Sequence, residues 1–335
     1  MIELIKIEPG SPVPKYKQII DSIHEALDSQ ELKRHQKIPS INEICKKYNL
    51  SRDTVITAFN DLQARGIIIS KPGKGYYVTK ATANQQHNVF LLFDKLSPYK
   101  EVLYNTFQEE ISKRGTVEIY FHHFNTKVFE TLIRENVGNY SAYVVMPIPS
   151  KSIASAISMI PRDKLYILDR GRRLYGQDFP SVCQNFKEDV YNALLSGYDL
   201  IQKYNKLLMI FPEPSNIPRD IKRGFEKFCK EKNIPHETVR ELSTDKIEKN
   251  DAYLVFDDKS LVKLVQAAQE NQYELGKDLG IVSYNDTPLK SVVANGITTI
   301  STDFAAMGTT MADLILNKGK DHLENPCSLI RRKSL

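Results

Sequence analysis

The sequence predicts an α/β protein in two parts, a small winged helix-turn-helix followed by a larger region of parallel, doubly wound sheets. Three observations carry that prediction. Between residues 12 and 78, three helical patterns with capping residues precede two short β-rich runs around a glycine-containing turn. From Val89 onward, short β-rich runs alternate with amphipathic helical segments, the order that gives βαβ units and parallel sheets. Between these parts, residues 81–88 are polar and aperiodic, which marks a linker. The expected domains are therefore residues 1–80 and 89–335, joined by 81–88.

In the first part, Pro14 suits a first helical position, and Tyr16, Ile19, Ile20, Ile23 and Leu27 recur at three- and four-residue intervals as one apolar face. Ser40 with Glu43 three residues on is a capping box, and Ile41, Ile44 and Tyr48 supply the buried face of a short second helix. Lys46 and Lys47 are left pointing outward. Asn49-Leu50 makes the turn, Ser51 caps a third helix, and Leu50 with Val55 forms a hydrophobic staple around that cap. With Val55, Ala58, Phe59 and Leu62 facing the core, Ser51, Arg52, Thr54 and Thr57 fall on the exposed N-terminal half, where a recognition helix meets the major groove. Gly66 ends the helix. Residues 67–70 and 76–78 then flank Lys71-Pro72-Gly73-Lys74-Gly75, whose glycines permit left-handed backbone and whose lysines reach phosphates. This is a wing, and it predicts double-stranded DNA as a partner.

Residues 12–78 resemble the DNA-binding domain of the GntR family of bacterial transcription regulators. The resemblance rests on the P-x-Y-x-Q-I start (Pro14, Tyr16, Gln18, Ile19), then P-S, S-R-x-T-V, L-x-x-x-G and the G-x-G wing, in order and at matching spacing. It implies base and phosphate contacts from Arg52 and Thr54, caps near phosphates at Ser40 and Ser51, and wing contacts from Lys71, Lys74 and Gly75. Two departures bear on the operator. Asn42 and Ile56 stand where the family commonly places arginines that touch DNA, so Arg52, Thr54 and the wing are expected to carry more of the reading.

Charge agrees with this reading. The chain holds 46 Lys+Arg against 41 Asp+Glu, a net of +5, and residues 1–80 hold 13 basic and 9 acidic residues, so +4 of that excess lies in the first part. A surplus of that size predicts salt-dependent affinity through a handful of phosphate contacts per subunit.

In the second part, strands are expected at residues 89–93, 117–124, 143–146, 165–168, 206–211, 238–242, 253–256 and 280–283, with helices near 100–113, 128–137, 189–203, 217–232 and 260–271. A doubly wound sheet places its ligand beyond the carboxyl ends of its strands. There this chain carries Asp94, Asp169-Arg170, Asp257-Asp258 and Asn285-Asp286, four polar strand ends that suggest one pocket. His122-His123 falls inside an expected strand and reads as a solvated or packed pair.

Residues 280–286, 297–308 and 329–334 resemble the closing third of the sugar-sensing domain of the LacI/GalR family, itself similar to periplasmic sugar-binding proteins. That family ends a strand on G-[FY]-D-D, leads a threonine pair into a helix with a glycine, and closes a terminal strand on R-x-S. Here Ser283 replaces the glycine and Asn285 the first aspartate. The resemblance implies a two-lobed, periplasmic-binding-protein-like domain that dimerises and binds a small carbohydrate. By position it implies effector contacts from Asp169, Asp257 and Asn285, from Asn185 or Phe186, and from Arg219 or Arg223 around an imperfect R-x-x-G-F in which Ile221 holds the usual arginine position. An amide at Asn285 both donates and accepts, which suits a neutral polyol. Asp258 and Asp286 are expected to cap helices. Phe93, Phe186 and Tyr284 are candidates to stack on a sugar ring or to pack in the core. Joined to the GntR-like domain, the arrangement resembles that of arabinose-responsive repressors.

Other classes fit poorly. The 247 residues after the linker are few for an aminotransferase-like domain, and no S-x-x-K, Ser/His/Asp or metal-spaced His/Cys constellation appears. No enzyme activity, cofactor or metal is therefore expected. Cys45, Cys183, Cys229 and Cys327 are far apart and read as reduced thiols. With no membrane-length apolar run and no signal peptide, the expected location is the cytoplasm, without a membrane partner. The expected function is that of a homodimeric repressor on a pseudo-palindromic operator, released by a small sugar. A sugar phosphate or nucleobase, with Arg170, Arg172, Arg173 and Arg219 as phosphate contacts, and an activator role are the alternatives.

Overall fold

The computed structural model describes residues 2–64, 67–79, 87–137, 140–148, 150–171, 173–174 and 177–335. Gly66, most of the expected linker (81–86) and Arg172 lie outside the described residues, as does the side chain of Arg173. The chain gathers into two compact units. One comprises Met1–Lys95, Gln108–Tyr166 and Tyr175–Gln177; the other comprises Leu96–Phe107, Ile167–Leu174 and Asp178–Leu335.

The first unit begins with helices α1 (Lys15–Asp28), α2 (Ile41–Tyr48) and α3 (Arg52–Ala64) and the antiparallel strands β1 (Ile68–Lys71) and β2 (Gly75–Val78). Pro14 stands one residue before α1, at φ −54° and ψ 139°, rather than inside it. The expected apolar faces meet in one core: Ile19, Ile20, Ile23 and Leu27 of α1, Ile44 of α2, Val55, Ala58, Phe59 and Leu62 of α3, and Ile68 and Val78 of the wing. Burying each of the larger side chains stabilises by roughly 1.5–3 kcal/mol relative to exposure, which fixes α3 against α1 and leaves its N-terminal half outward.

The α/β region follows as β3 (His87–Phe93), α4 (Pro98–Ser112), β4 (Gly115–Phe121), α5 (Thr126–Asn136), β5 (Ala142–Val145), α6 (Ala154–Ser158) and β6 (Leu165–Asp169). Two-residue strands β7 (Arg173–Leu174) and β8 (Gln177–Asp178) lead to β9 (Ser181–Cys183), α7 (Phe186–Ser196) and α8 (Tyr198–Ile201). Then come β10 (Lys206–Ile210), α9 (Arg219–Glu231), β11 (His236–Val239), β12 (Asp251–Val255), α10 (Asp258–Glu270) and β13 (Leu279–Tyr284). The chain closes with α11 (Pro288–Val292), β14 (Thr298–Thr302), α12 (Phe304–Leu316), β15 (His322–Glu324) and β16 (Cys327–Ile330).

Two six-stranded sheets result, ordered β15-β9-β6-β5-β3-β4 and β11-β10-β12-β13-β14-β16. In the first, β3 runs parallel to β4 and β5, and β9 parallel to β6 and β15. In the second, β10 to β14 pair in parallel and only β16 runs antiparallel, on β14. Each sheet reverses its winding, between β3 and β5 in one and between β10 and β12 in the other, so ligand-facing positions are set at the carboxyl ends of those strands.

His122 corrects one expectation. β4 stops at Phe121, and His122 lies beyond it, fully buried, with Nε2 3.0 Å from the Met146 carbonyl and Nδ1 accepting the Phe124 N–H at 3.1 Å. That pattern places the proton on Nε2 and makes His122 a packed structural residue. Phe93, fully buried and edge-on to Phe121 at 6.3 Å, is likewise part of a core.

The terminal R-x-S also finds its reason. Ser334 Oγ donates to the Ile281 carbonyl at 2.7 Å and accepts the Thr298 N–H at 2.8 Å, tying β13 to β14. Arg332 makes two 2.7 Å bonds to the Asp286 carboxylate, which also accepts from Thr299 Oγ1 at 3.1 Å. Asp286 is thus an ion-paired anchor and not the helix cap expected of it. Burial raises its pKa, and the Arg332 pairing together with hydrogen bonds from Thr299 and the Thr287 backbone more than offsets that, leaving it below the ordinary carboxylate value.

Candidate functional site

The candidate DNA-facing surface is built from local hydrogen bonds. Ser40 Oγ accepts the Glu43 N–H at 3.3 Å while Glu43 Oε2 accepts the Ser40 N–H at 2.7 Å, the reciprocal box that starts α2 and holds the exposed Glu43 carboxyl below its ordinary pKa. Asn49, at φ 50°, ends α2 in the left-handed conformation that asparagine tolerates. Ser51 Oγ then accepts the Thr54 N–H at 3.2 Å and shares a 2.8 Å bond with the Thr54 hydroxyl. Thr57 Oγ1 donates back to the Asp53 carbonyl at 2.8 Å. Ser51, Arg52 and Thr57 are exposed, as the apolar pattern required.

Arg52 Nη1 donates to Asn42 Oδ1 at 2.8 Å, so the expected reader and the residue replacing the family arginine touch. In the wing, Gly73 (φ 70°) and Gly75 (φ 97°) take the left-handed backbone the turn needs. The Lys71 ammonium sits 4.6 Å from the Tyr77 ring centroid. Lys37 joins this group unannounced by the sequence: it bridges to Tyr77, and a Cβ on Gly75 would lie 3.2 Å from its Cε. Only the folded chain brings the segment before α2 against the wing.

A second polar cluster lies in the other unit, at strand ends. Asp169 closes β6 at φ 73°, 4% exposed, with Oδ1 accepting from Gln184 Nε2 and Oδ2 3.4 Å from Arg170 Nε. Gln184 Oε1 in turn accepts from Thr302 Oγ1. One amide therefore joins the ends of β6, β9 and β14. Arg170 Nη1 also donates to the Asn216 carbonyl at 3.2 Å, and its guanidinium stands 6.0 Å over the Phe186 ring. Asn185 precedes α7 without capping it and donates to Glu324 at 3.3 Å.

At the end of β13, Asn285 takes φ 59°, and its backbone carbonyl accepts from Lys290 Nζ at 2.8 Å. Lys290 also donates to the Tyr284 carbonyl at 3.1 Å; burial lowers its pKa, and Asp258 at 3.9 Å works against that. Asn285 Oδ1, Tyr284 Oη and Asp189 Oδ2 are buried atoms without a hydrogen-bond partner among the described residues. Burial pushes Tyr284 well above its ordinary pKa and the Asp189 carboxyl up to about 6, where Glu324 adds to the rise and the Asn185 hydrogen bond opposes it. Around them Phe256 lies 5.3 Å from Tyr284 and 5.8 Å from Phe211, and Tyr99 lies 4.8 Å from Phe304. Polar atoms left unsatisfied beside aromatic rings are what a hydroxyl-rich ligand would complete.

Several expected residues stand elsewhere. Asp257, expected as a ligand contact, is the N-cap of α10, its two oxygens taken by Ser260 N–H at 2.8 Å and Ser260 Oγ at 2.9 Å. Asp258, expected as the cap, is exposed instead. Arg223 is an exposed helix-surface residue bonded to Asp220 at 2.7 Å, because its place three residues after Asp220 on α9 turns it away from the sheet. Ile221 is buried in the core beside Phe225, so no arginine occupies the family position. Arg219 lines a cleft of about 380 Å³ with Phe211, Glu213, Pro214, Ser215, Ile217 and Arg240. Asp94 is buried in the first unit, where Oδ1 accepts the Lys95 N–H and its carbonyl accepts the His123 N–H at 2.7 Å. Gln184, Thr302 and Lys290 were missed. Gln184 follows a three-residue strand, too short to show a period, and nothing in sequence ties it to Asp169 and Thr302.

A winged helix joined to a parallel α/β domain with a polar strand-end cluster defines the class of DNA-binding transcription regulators with a sensing domain. Residues 15–78 match the gntR family of bacterial regulatory proteins, and residues 200–335 match the periplasmic binding protein-like domain. The chain carries one domain of each kind. It is 20% identical over 339 residues to the arabinose metabolism transcriptional repressor of Geobacillus stearothermophilus, covering 91% of each chain. It is 32% identical over 72 residues to the HTH-type transcriptional regulator YcxD of Bacillus subtilis, a match that spans 22% of this chain and 16% of that one. Its fold is similar to the crystal structure of the lac repressor dimer bound to operator and an anti-inducer, with a TM-score of 0.61 at 17% identity over 75% of this chain and 95% of that one. Among the described residues, no helix is long and apolar enough to cross a membrane.

Proposed function

We propose that this chain is a repressor of carbohydrate-utilisation genes that binds a pseudo-palindromic operator as a homodimer and is released by a small sugar. The observation that carries this reading is the presence, in one chain, of a capped recognition helix with its wing and a strand-end cluster holding unsatisfied polar atoms. The full-length similarity to an arabinose metabolism repressor favours a pentose as effector. Residues 1–80 serve as the DNA-binding domain, 81–88 as linker and 89–335 as the effector-binding and dimerisation domain. Asp169, Asn185, Phe186 and Asn285, with Gln184 and Tyr284 added, form the sugar site. Release follows if the sugar binds the DNA-incompetent arrangement more tightly, typically by ~1–3 kcal/mol of coupling.

Fluorescence-anisotropy titration of duplexes from the chain's own upstream region, repeated with a sugar panel, tests both halves. Absence of binding at low salt would remove the DNA reading, and indifference to every sugar the inducer reading. One observation favours a phosphorylated effector instead: Arg219 and Arg240 share the 380 Å³ cleft. Thermal shifts with free and phosphorylated sugars separate the two, since a ligand at 100 times its Kd stabilises by about 2.7 kcal/mol.

A further inference from the structure

We infer that Asn42 is a positioning residue for operator reading, its side-chain carbonyl holding the Arg52 guanidinium ready for a guanine edge in the major groove. The inference rests on the DNA-binding reading above and deepens it.

Both partners have pinned backbones. Asn42 is the second residue of α2, whose start is fixed by the Ser40–Glu43 box, and Arg52 is the first residue of α3, whose start is fixed by the Ser51–Thr54 bonds. The 2.8 Å bond from Arg52 Nη1 to Asn42 Oδ1 spans the helix-turn-helix on its exposed side. An arginine has five N–H donors in a planar fork, so one bond from Nη1 leaves donors enough for the paired contact to guanine O6 and N7. The restraint matters because an exposed arginine otherwise samples many rotamers and loses that freedom on binding.

The chemistry of the partner matters as well. The Asn42 amide accepts from the guanidinium without adding negative charge, so the cation that the phosphates attract is preserved. A second arginine here would repel Arg52 and offer no acceptor. Replacing the usual arginine by asparagine thus exchanges one potential DNA contact for the orientation of another, and makes Asn42 a determinant of base preference.

The test uses full-length protein and duplexes that it selects from a random-sequence pool, with anisotropy measured for wild type, Asn42→Ala, Arg52→Ala and the double variant. Asn42→Ala is expected to lower the ratio of selected to random-sequence affinity about ten-fold, and to relax preference at the same base pair of each half-site that Arg52→Ala relaxes. In the Arg52→Ala background, removing the Asn42 side chain should change nothing further, because its effect passes through Arg52. An equal loss in both backgrounds would mean that Asn42 touches DNA by itself and overturns the positioning role. Unchanged base preference in Asn42→Ala, with wild type still selecting an operator, also sinks it while leaving the DNA-binding reading intact. If wild type selects no sequence, that reading falls and takes this inference with it. Unchanged melting temperatures confirm that the variants fold.

Discussion

The helix-turn-helix and the strand-end cluster place their polar side chains by opposite means. In the first, the partners that start each helix lie three residues apart: Ser40 with Glu43 and Ser51 with Thr54. In the second, Thr302 reaches Gln184 across 118 positions, Asn185 reaches Glu324 across 139, and Arg332 reaches Asp286 across 46. Local hydrogen bonds that start helices leave a signature in the spacing of residues, whereas partners brought together by sheet order leave none. The first surface is therefore preset by short segments, and the second exists only when the sheets are assembled.

The largest expected effect tests the long-range side. Arg332→Ala strands the part-buried Asp286 and should cost about 2 kcal/mol, somewhat below the loss for a fully buried pair, read as a lower urea midpoint. Stability from Asp286 is present above its ordinary pKa and is lost as pH falls through the lowered one, so the difference between Arg332→Ala and wild type should shrink in acid. The local side gives a smaller effect: Ser40→Ala removes one cap and should cost ~1 kcal/mol. It also tilts the start of α2, so operator affinity should fall alongside stability. If Ser40→Ala proved as damaging as Arg332→Ala, the contrast drawn above would fail.

Asp189→Asn gives a subtler readout. Burial raises Asp189 from an ordinary 3.8 to about 6, so the native state binds more protons than the unfolded chain between those values, and its stability falls as pH rises through that window. The variant should melt higher than wild type at pH 7.5 and alike at pH 4. Equal melting at both would mean that Asp189 is well solvated. Lys71→Ala is the smallest change, expected to leave melting untouched and to lower the salt dependence of DNA binding by about one counterion per subunit. A change in base preference would instead give the wing a reading role.

Much of the fold was legible. The apolar spacing of α1 to α3 follows a period of three to four residues, which chain geometry imposes whatever the neighbours, and the strands after Val89 show as short apolar runs between amphipathic helices. Boundaries shifted at several elements, among them β11, which spans His236–Val239 where 238–242 was expected, and β4, which stops at Phe121 as His122 turns inward to the Met146 carbonyl. The strand-end cluster was half legible. Asp169 and Asn285 stand at the ends of β6 and β13, where the sequence put them, and both adopt left-handed backbone there. Asp257 took the capping role expected of Asp258, which is exposed, because where the helix begins decides which carboxylate meets Ser260 N–H. Arg223 was misplaced because its choice of Asp220 over the sheet depends on helix phase.

The sequence by itself determined the winged helix, its caps, the exposed face at the start of α3 and the alternating order of the α/β region, because each depends on interactions within a turn or two of chain. Tertiary structure alone decided that Gln184 links Asp169 to Thr302, that Lys37 covers Gly75, that Arg332 secures Asp286, and that Asn42 holds Arg52. Those pairings arise from which strands and helices become neighbours, and hydrogen-bond geometry accepts a partner only once packing has brought it within about 3 Å.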